Sequence, residues 1–356
     1  MTGPCPPALK DEMEHVSTWG RWLRGRRRPV AVVLGSLGIA LGVATGLGVV
    51  AGHNHIVSLL RGIEPRWLAL CIVAQAVAYV GYVFALRFTA RCDDGPKMPF
   101  GFTARVVAAG FGAFFSAAAA GGFELDYWAL RHSGATRRVA LARVIGLGTL
   151  EYAVLAPAAM FSAIAMVLGA GEHEYLAVTV PWFAVAPGFL VAAWVTHPAR
   201  ARRWARTYVH SSRLRHGFAH AISGLSTLRW LATNPSHGIP AFGGTALYWF
   251  GDILCLWASL RAFHADVRIP ALIIAYATGY VLTRRSLPAG GIGVAEVALT
   301  FALHWLGVPF ASALLGVFTY RIFNFWLALV PALAVLPTVR MIRREIRHTD
   351  AELERV

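Results

Sequence analysis

The chain has 356 residues, of which 57% are hydrophobic and only 14% are charged, and its mean hydropathy is +0.55. This composition excludes an ordinary soluble domain, which could not bury so much apolar surface, and it predicts an all-α protein that crosses a membrane several times. The formal net charge of +15 comes from arginines at the ends of apolar runs, where they set topology and meet anionic headgroups. We therefore expect membrane lipids and no nucleic acid as partners.

Apolar runs of the length of a membrane helix recur along the chain. A spanning helix needs about 20 mainly apolar residues. Eight runs qualify, one of them short: residues 30–52, 67–88, 144–168, 177–196, 240–263, 269–283, 287–305 and 310–336. We predict about eight transmembrane helices in a membrane domain over residues 30–337, with a basic amino terminus (1–29) and a basic tail (338–356) in the cytoplasm.

The arginines also predict the orientation, because short cytoplasmic loops are enriched in them. Both termini should be cytoplasmic, in a membrane of the bacterial cytoplasmic (inner) type. The connection 198–237, which contains seven arginines, also falls inside. Its apolar residues Leu214, Phe218, Ile222, Leu225 and Leu228 recur at helical spacing, which favours an amphipathic helix on the inner leaflet; a solvated basic loop is the alternative.

A shorter apolar stretch, residues 106–120, ends in Gly121 and Gly122. If this stretch crossed the membrane, the basic segment that contains Arg131 and Arg143 would lie outside, against the charge rule. A re-entrant hairpin that enters and leaves by the cytoplasmic face removes the conflict, and we predict one here.

The first glycine pair has a counterpart at Gly290 and Gly291. Each pair interrupts an apolar segment and precedes acidic residues and a helix, with Glu124 and Asp126 in the first copy and Glu296 in the second. Interrupted segments in corresponding halves of a membrane protein indicate a binding site near the midplane, so we predict an internal repeat with one or two re-entrant segments. Glycine pairs that only allow close helix packing are the alternative.

The second copy carries a further signal of an anion site. Pro288 can end the preceding helix, and the backbone N–H groups of the next helix would then bind a phosphate beside Arg284 and Arg285. The alternative is that this arginine pair only anchors the topology.

Several charged residues lie near the middle of the predicted spans: Glu151, Asp252, Glu296 and Arg321. Each costs about 2.5–3.5 kcal/mol on insertion scales, so their side chains should face the protein interior. Glu296 and Arg321 fall near the middles of consecutive antiparallel spans, which predicts an ion pair between them. The pair would either line a polar path or be purely structural.

Signatures of catalysis are missing from the sequence. It contains no Walker loop, HExxH or GxSxG, and its cysteines (Cys5, Cys71, Cys92 and Cys255) are scattered. We therefore expect free thiols, no metal site, no cofactor and no enzymatic activity. An intramembrane enzyme would need an acid/base pair such as Asp252 and Glu296 in a wet cavity.

The segment 287–296, followed by Gly307-Val308 and by Arg321 ahead of Trp326, resembles the carboxy-terminal signature of the lysylphosphatidylglycerol synthase transmembrane region, also called the flippase-like domain family. Asp252, within residues 248–254, is similar to another pattern of that family. The resemblance implies an eight-helix membrane domain with re-entrant segments that moves lipids or lipid-linked sugars between leaflets.

Two positions depart from the family pattern: Ala118 and Ala119 stand in a proline region, and Tyr152 follows Glu151 where an arginine is usual. The lysyl-transferring members carry a large cytoplasmic aminoacyltransferase domain after the membrane part. Because the sequence up to Val356 contains no such domain, we expect no lysyl transfer from this chain alone.

These observations predict a lipid transporter, flippase or scramblase-like, that moves an anionic phospholipid or lipid-linked glycan through an intramembrane polar cavity. The predicted substrate-binding residues are Arg284, Arg285, Gly290, Gly291, Glu296, Arg321, Asp252, Gly121, Gly122, Glu124, Asp126 and Glu151. The alternative is a non-transporting accessory subunit that docks a glycosyltransferase or lipid-modifying enzyme through its basic cytoplasmic face.

Overall fold

The computed structural model of the chain describes residues 53–170, 176–195, 224–281 and 293–332, together with the isolated positions 42, 334 and 335. Most of the predicted first span (30–52), both terminal segments and most of the connection 198–237 lie outside these described residues. Every regular element in the described ranges is helical.

The helices follow the apolar runs of the sequence. In chain order they are α1 (His53–Arg61), α2 (Pro65–Ala90), α3 (Phe100–His132), α4 (Arg137–Ala170), α5 (Leu176–Val195), α6 (residues 224–233), α7 (Pro235–Arg261), α8 (Ile269–Ala275), α9 (Val294–Trp305) and α10 (Phe310–Arg321). A π-helix over Tyr276–Val281 continues α8, and a second one over Ile322–Trp326 continues α10.

Four helical segments are long and apolar enough to cross a membrane: Pro65–Ala90, Arg137–Gly169, Pro235–Arg261 and Phe310–Ala332. The described part of the chain therefore has the architecture of a multi-pass α-helical membrane protein, as predicted. Of the eight predicted spans, 30–52 lies largely outside the described residues. The runs 269–283 and 287–305 contain shorter helices, Ile269–Gly279 and Val294–Trp305.

The centre of the fold is the antiparallel pair α2 and α7. Small residues bring the two backbones together: a Cβ atom added at Gly81 would lie 2.4 Å from Tyr248 N, and one added at Gly251 would lie 2.5 Å from Ala74 O. Close approach of this kind is how membrane helices gain van der Waals contact, since lipid tails are as apolar as leucine.

Helix α3 is folded into a hairpin. The ring centroids of Phe102 and His132 are 5.5 Å apart, whereas thirty residues of straight helix would separate them by about 45 Å. Near the other end, a Cβ atom added at Gly110 would lie 4.0 Å from the Cα atom of Gly122. The chain therefore reverses direction between Phe111 and Gly122, in the region where the sequence predicted a hairpin.

A second hairpin is formed by α8 with its π-helix on one side and α9 on the other. A Cβ atom added at Gly279 would lie 2.7 Å from the Cα atom of Leu299. Twelve helical residues such as Val294–Trp305 extend about 18 Å, less than the roughly 30 Å of a hydrocarbon core. For this region the sequence predicted apolar runs of spanning length and also an interruption at Gly290 and Gly291; the residues between the two arms, 282–292, lie outside the described ranges.

The order long helix, hairpin, long helix occurs twice, as α2–α3–α4 and as α7–α8–α9–α10. Because α2 and α7 are antiparallel, with Gly81 against Tyr248 and Ala74 against Gly251, the two units run in opposite directions. Opposite directions are what an inverted internal repeat requires, and we call α2–α4 the first repeat unit and α7–α10 the second.

Residues 224–233 are the part of the predicted amphipathic connection that the structure describes. Their helix, α6, packs on protein: Leu225, Leu228 and Leu231 form a buried cluster with Leu150 of α4. A Cβ atom at Gly146 would lie 2.6 Å from Thr227 Cγ2, so a glycine allows this approach. In this described part of the predicted connection, the apolar face of the helix is covered by protein.

Candidate functional site

Asp252 lies at the middle of the fold and is fully buried, with an exposed fraction of 0%. Four neutral side chains donate hydrogen bonds to its carboxylate: Gln75 Nε2 to Oδ1 at 3.0 Å, Tyr320 OH to Oδ2 at 2.9 Å, Tyr276 OH to Oδ2, and Asn324 Nδ2 to Oδ1. A carboxylate offers about four lone-pair sites, so its acceptor capacity is filled. Among the described residues, no cation forms an ion pair with it.

The four donors come from three different elements. Gln75 belongs to α2, Tyr276 opens the π-helix that follows α8, and Tyr320 and Asn324 belong to α10 and its π-helix. Asp252, itself on α7, therefore connects α2 to the π-helix after α8 and to α10 with its π-helix. Two donors lie on π-helical segments, which occur frequently at functional sites because they carry an extra residue in a helical turn.

Arg321 and Glu296 form the ion pair that the sequence predicted. Arg321 Nε lies 2.6 Å from Glu296 Oε1, and both side chains are 3% exposed. The Arg321 guanidinium also lies 4.4 Å from the centroid of the Phe325 ring, a cation–π distance. The charges of α9 and α10 thus balance each other inside the second repeat unit.

The other carboxylate oxygen of Glu296 is bound by the start of its own helix. Gly293 N donates to Glu296 Oε2 at 2.6 Å, and Gly293 has a positive φ of 86°, a conformation that glycine adopts without steric cost. The sequence predicted that this helix end binds a lipid phosphate. In the structure, the carboxylate of Glu296 itself accepts the hydrogen bond from this helix end.

Neighbouring residues of α10 and of the π-helix that continues it connect the two acidic groups. Tyr320 and Asn324 hold Asp252, while Arg321 holds Glu296. A shift or rotation of this helical segment would therefore disturb both contacts together. The predicted residues Asp252, Glu296 and Arg321 form one cluster, which we call the central cluster, with Gln75, Tyr276, Tyr320 and Asn324.

The first repeat unit contains its own buried carboxylate, Asp126. Tyr82 OH donates to Asp126 Oδ2 at 3.2 Å, and Asp126 is 2% exposed. Glu124 lies on the same hairpin arm and accepts a hydrogen bond from Trp128 Nε1 at 3.1 Å. Gly122 is buried against Gly110, so this glycine serves the close packing that was the alternative interpretation.

Glu151 is also buried, on α4. Its carbonyl oxygen accepts a hydrogen bond from Trp249 Nε1 at 2.8 Å, which joins α4 to α7 beside Asp252. The side chain of Glu151 acts electrostatically on Asp126, so these two predicted residues share one region.

An unbroken series of aromatic contacts runs between Asp126 and Asp252. Tyr82, which binds Asp126, lies 5.3 Å from Tyr248 between ring centroids, and Tyr248 lies 4.7 Å from Trp249. Trp249 then lies 5.9 Å from Tyr276, whose hydroxyl binds Asp252. The two acidic sites of the repeat units are therefore linked by side chains that combine apolar rings with polar tips.

Four predicted residues lie outside the described ranges, and a fifth has only its backbone described. Arg284, Arg285, Gly290 and Gly291 lie outside the described residues, and Gly121 lies at the reversal of α3, where side chains are not described. Sequence reasoning missed Gln75, Tyr276, Tyr320, Asn324 and Tyr82 because it weighed formal charges only. The available signal was a neutral amide or phenol inside an apolar span, which is also costly unless it has a partner.

No group of three or more His, Cys, Asp or Glu side chains in the described ranges could hold a metal ion. Cys71, Cys92 and Cys255 are free and buried.

Two comparisons with known proteins bear on this site. No curated protein matches the chain. A family model described as the lysylphosphatidylglycerol synthase TM region matches residues 34–332, a range that covers both repeat units and the whole central cluster. The chain therefore belongs to the family of the lysylphosphatidylglycerol synthase transmembrane region.

Proposed function

We propose that this protein moves a lipid with an anionic headgroup, a phospholipid or a lipid-linked glycan, between the two leaflets of the membrane. The observation that carries the proposal is the Arg321–Glu296 pair, which is buried beside Asp252 and its four hydrogen-bond donors. Ionised groups inside a membrane domain are costly and usually mark a substrate or ion pathway. Family membership supports a lipid-related role.

The two hairpins give the proposed path its shape. With the orientation that the arginines predict, α3 opens toward the cytoplasmic face and the α8–α9 hairpin opens toward the outer face, so both are re-entrant. Each described arm is about half as long as a spanning helix needs to be. Broken segments that enter from opposite faces are typical of transporters with a binding site at the midplane.

In this proposal the headgroup competes with Glu296 for Arg321. A phosphate accepts charge-assisted hydrogen bonds from a guanidinium as a carboxylate does, so it would replace Glu296 at Arg321 while Glu296 keeps its bond from Gly293 N. The exchange avoids leaving a bare cation in a low-dielectric interior, the state that makes buried charges expensive. Because the described residues include no nucleotide-binding signature, the proposed energy source is a lipid or ion gradient.

The test is lipid translocation by the purified protein in proteoliposomes. Fluorescent phosphatidylglycerol is placed in both leaflets, and a membrane-impermeant reductant bleaches only the outer one. Wild type should expose most of the inner pool, and Arg321→Ala with Glu296→Gln should lower the rate at least tenfold. A matched control replaces the pair Arg66 and Glu64, whose side chains are 73% and 33% exposed, by alanine and glutamine, and it should leave the rate unchanged.

Lipids that co-purify in mild detergent would name the substrate. One lipid class should be enriched over the bulk membrane in the wild type, and the enrichment should disappear in the Arg321→Ala, Glu296→Gln variant. If the wild type does not move lipid and its lipid profile matches the bulk, transport is wrong and the accessory-subunit alternative takes its place.

A further inference from the structure

We infer that Asp252 is a proton-binding site whose occupancy decides whether the α8–α9 hairpin and α10 are held against α2 and α7. The inference rests on the proposed function, because it names the ion that would drive lipid movement. It starts from the hydrogen-bond capacity of one carboxyl group.

The ionised carboxylate of Asp252 accepts four hydrogen bonds and donates none. A protonated carboxyl group instead carries one O–H donor and has less acceptor capacity. The protonated oxygen then presents a hydrogen toward donors that already point hydrogens at it. When Asp252 takes up a proton, at least one donor must therefore rotate or break its hydrogen bond. The four donors are Gln75, Tyr276, Tyr320 and Asn324.

The donors that would be released lie on the elements most able to move. Tyr276 and Asn324 belong to the two π-helical segments, and a π-helical turn can return to α-helical register by shifting one residue. Gln75, in contrast, belongs to α2, which is packed tightly on α7 through Gly81, Gly244 and Gly251. Protonation therefore loosens the hairpin and α10 while the α2–α7 pair stays in place.

The charges around Asp252 favour a proton as the ligand. The ionisable groups that face it are the phenols Tyr276 and Tyr320 from the hairpin and α10, and the thiols Cys71 and Cys255 lie one helical turn further along α2 and α7. On α9 and α10, Glu296 and Arg321 neutralise each other. The hydrogen bonds to Asp252 have direct-contact lengths, which leave no room for a metal cation between carboxylate and donors.

The proposed step is the reversible binding of one proton. One proton from the aqueous phase binds a carboxylate oxygen of Asp252, no covalent bond other than O–H is formed or broken, and the same proton leaves when the donors close again. Because the same stretch of α10 also holds Glu296 through Arg321, release of Tyr320 and Asn324 would free Arg321 to exchange Glu296 for a headgroup. Proton uptake and headgroup binding are thereby coupled.

The test measures proton binding and conformation, and it requires no measurement of lipid movement. Infrared difference spectra of the protein in detergent, recorded over a pH titration, should show a protonated-carboxyl band that disappears in Asp252→Asn. Asp126→Asn removes the buried carboxyl of the other repeat unit and should keep that band. Hydrogen exchange of residues 276–281 and 322–326, corrected for intrinsic exchange at each pH, should rise at least tenfold in wild type when the band appears.

Asp252→Asn imitates the neutral state, so its exchange in those segments should be fast at every pH. If this variant does not fold, Tyr320→Phe keeps the carboxyl group and removes one donor. It should move the midpoint of the infrared titration at least about tenfold toward lower proton concentration, since the lost hydrogen bond stabilises the ionised carboxylate. An unchanged midpoint overturns the inference.

The inference is also overturned if the band survives in Asp252→Asn, if exchange in the two segments ignores the titration, or if the titration shifts with Na⁺ concentration, which would assign the site to a metal cation. None of these results concerns lipid translocation measured without a pH gradient, so the proposed function would stand. Conversely, a proton-binding Asp252 in a protein that moves no lipid would leave this site intact and remove the transport proposal.

Discussion

Arg321 Nε and Glu296 Oε1 are 2.6 Å apart, and neither side chain is more than 3% exposed. The pair joins α10 to the first turn of α9, because the second oxygen of Glu296 is bound by Gly293 N. Removing one partner leaves a bare charge in the protein interior, whereas removing both leaves none. The two kinds of change should therefore differ sharply in stability.

We expect Arg321→Met and Glu296→Gln each to lower the free energy of unfolding by about 3–5 kcal/mol, the usual cost of an orphaned buried charge. The double variant Arg321→Met, Glu296→Gln should recover more than half of that loss. Denaturant unfolding in detergent measures the double-mutant cycle. Arg66→Ala at the exposed pair with Glu64, where Arg66 is 73% exposed, should change stability by less than about 1 kcal/mol. Additive losses in the cycle would contradict the pairing.

The glycines of the α2–α7 pair allow a comparison between neighbouring positions. A Cβ atom at Gly244 would lie 2.7 Å from Ala85 N, whereas one at Gly243 would meet nothing within 4 Å. Gly244→Ala should destabilise the protein by about 1–3 kcal/mol through overpacking. Gly243→Ala should leave it unchanged or stabilise it by up to about 1 kcal/mol, since alanine has the higher helix propensity.

Thermal unfolding of the two variants in the same detergent is the measurement. Equal effects at both positions would show that α2 and α7 do not approach each other at Gly244. The comparison needs no assumption about transport.

Part of this site could be predicted from the sequence, for a definite physical reason. Charged residues inside apolar runs are visible in the sequence, and their cost demands partners, which led to the Glu296–Arg321 pair. The same logic placed Asp252 in the interior. It did not identify the groups that hold Asp252, because Gln75, Tyr276, Tyr320 and Asn324 carry no charge and come from distant parts of the chain.

The two hairpins also differ in how far the sequence predicted them. Arg131 and Arg143 made a full crossing by residues 106–120 inconsistent with the charge rule, so a reversal of α3 was predicted. No such conflict exists around residues 269–305, where the only signal against two spans was the interruption at Gly290 and Gly291. The π-helical segments Tyr276–Val281 and Ile322–Trp326 left no pattern in the sequence from which they could be predicted.

Cys92 lies just after α2, in the short 3₁₀ helix Cys92–Asp94, and has an exposed fraction of 0%. Burial raises the pKa of this thiol to about 12, an effect that the Arg143 charge opposes and the Asp93 charge reinforces. The reactive thiolate is therefore scarce at pH 8, at roughly one part in ten thousand, compared with about a quarter for a thiol with the ordinary pKa near 8.5.

A variant with Cys92 as its single cysteine (Cys5→Ser, Cys71→Ala, Cys255→Ala) should react with maleimide at least about a hundredfold more slowly when folded than when unfolded in detergent. Since the folded pKa is raised, the thiol's contribution to stability is complete below the unfolded pKa and is lost as pH rises toward 12. Stability should thus fall above about pH 9, and less steeply in Cys92→Ala. Fast labelling of the folded protein at pH 8 would contradict the burial of this thiol.

The reversal of α3 gives a geometric prediction that depends on no functional assumption. Phe102 and His132 have ring centroids 5.5 Å apart, so Phe102→Cys with His132→Cys, in a background without the native cysteines, should form a disulfide when treated with a mild oxidant. The control pair, Arg138→Cys and Leu168→Cys, has the same spacing in sequence but lies on the single helix α4, where about 45 Å separates the two positions. Cleavage at a protease site engineered between the cysteines, followed by electrophoresis without reductant, detects the bond. Fragments that stay joined only for the α3 pair are the expected result, and separation of both pairs would mean that α3 does not fold back on itself.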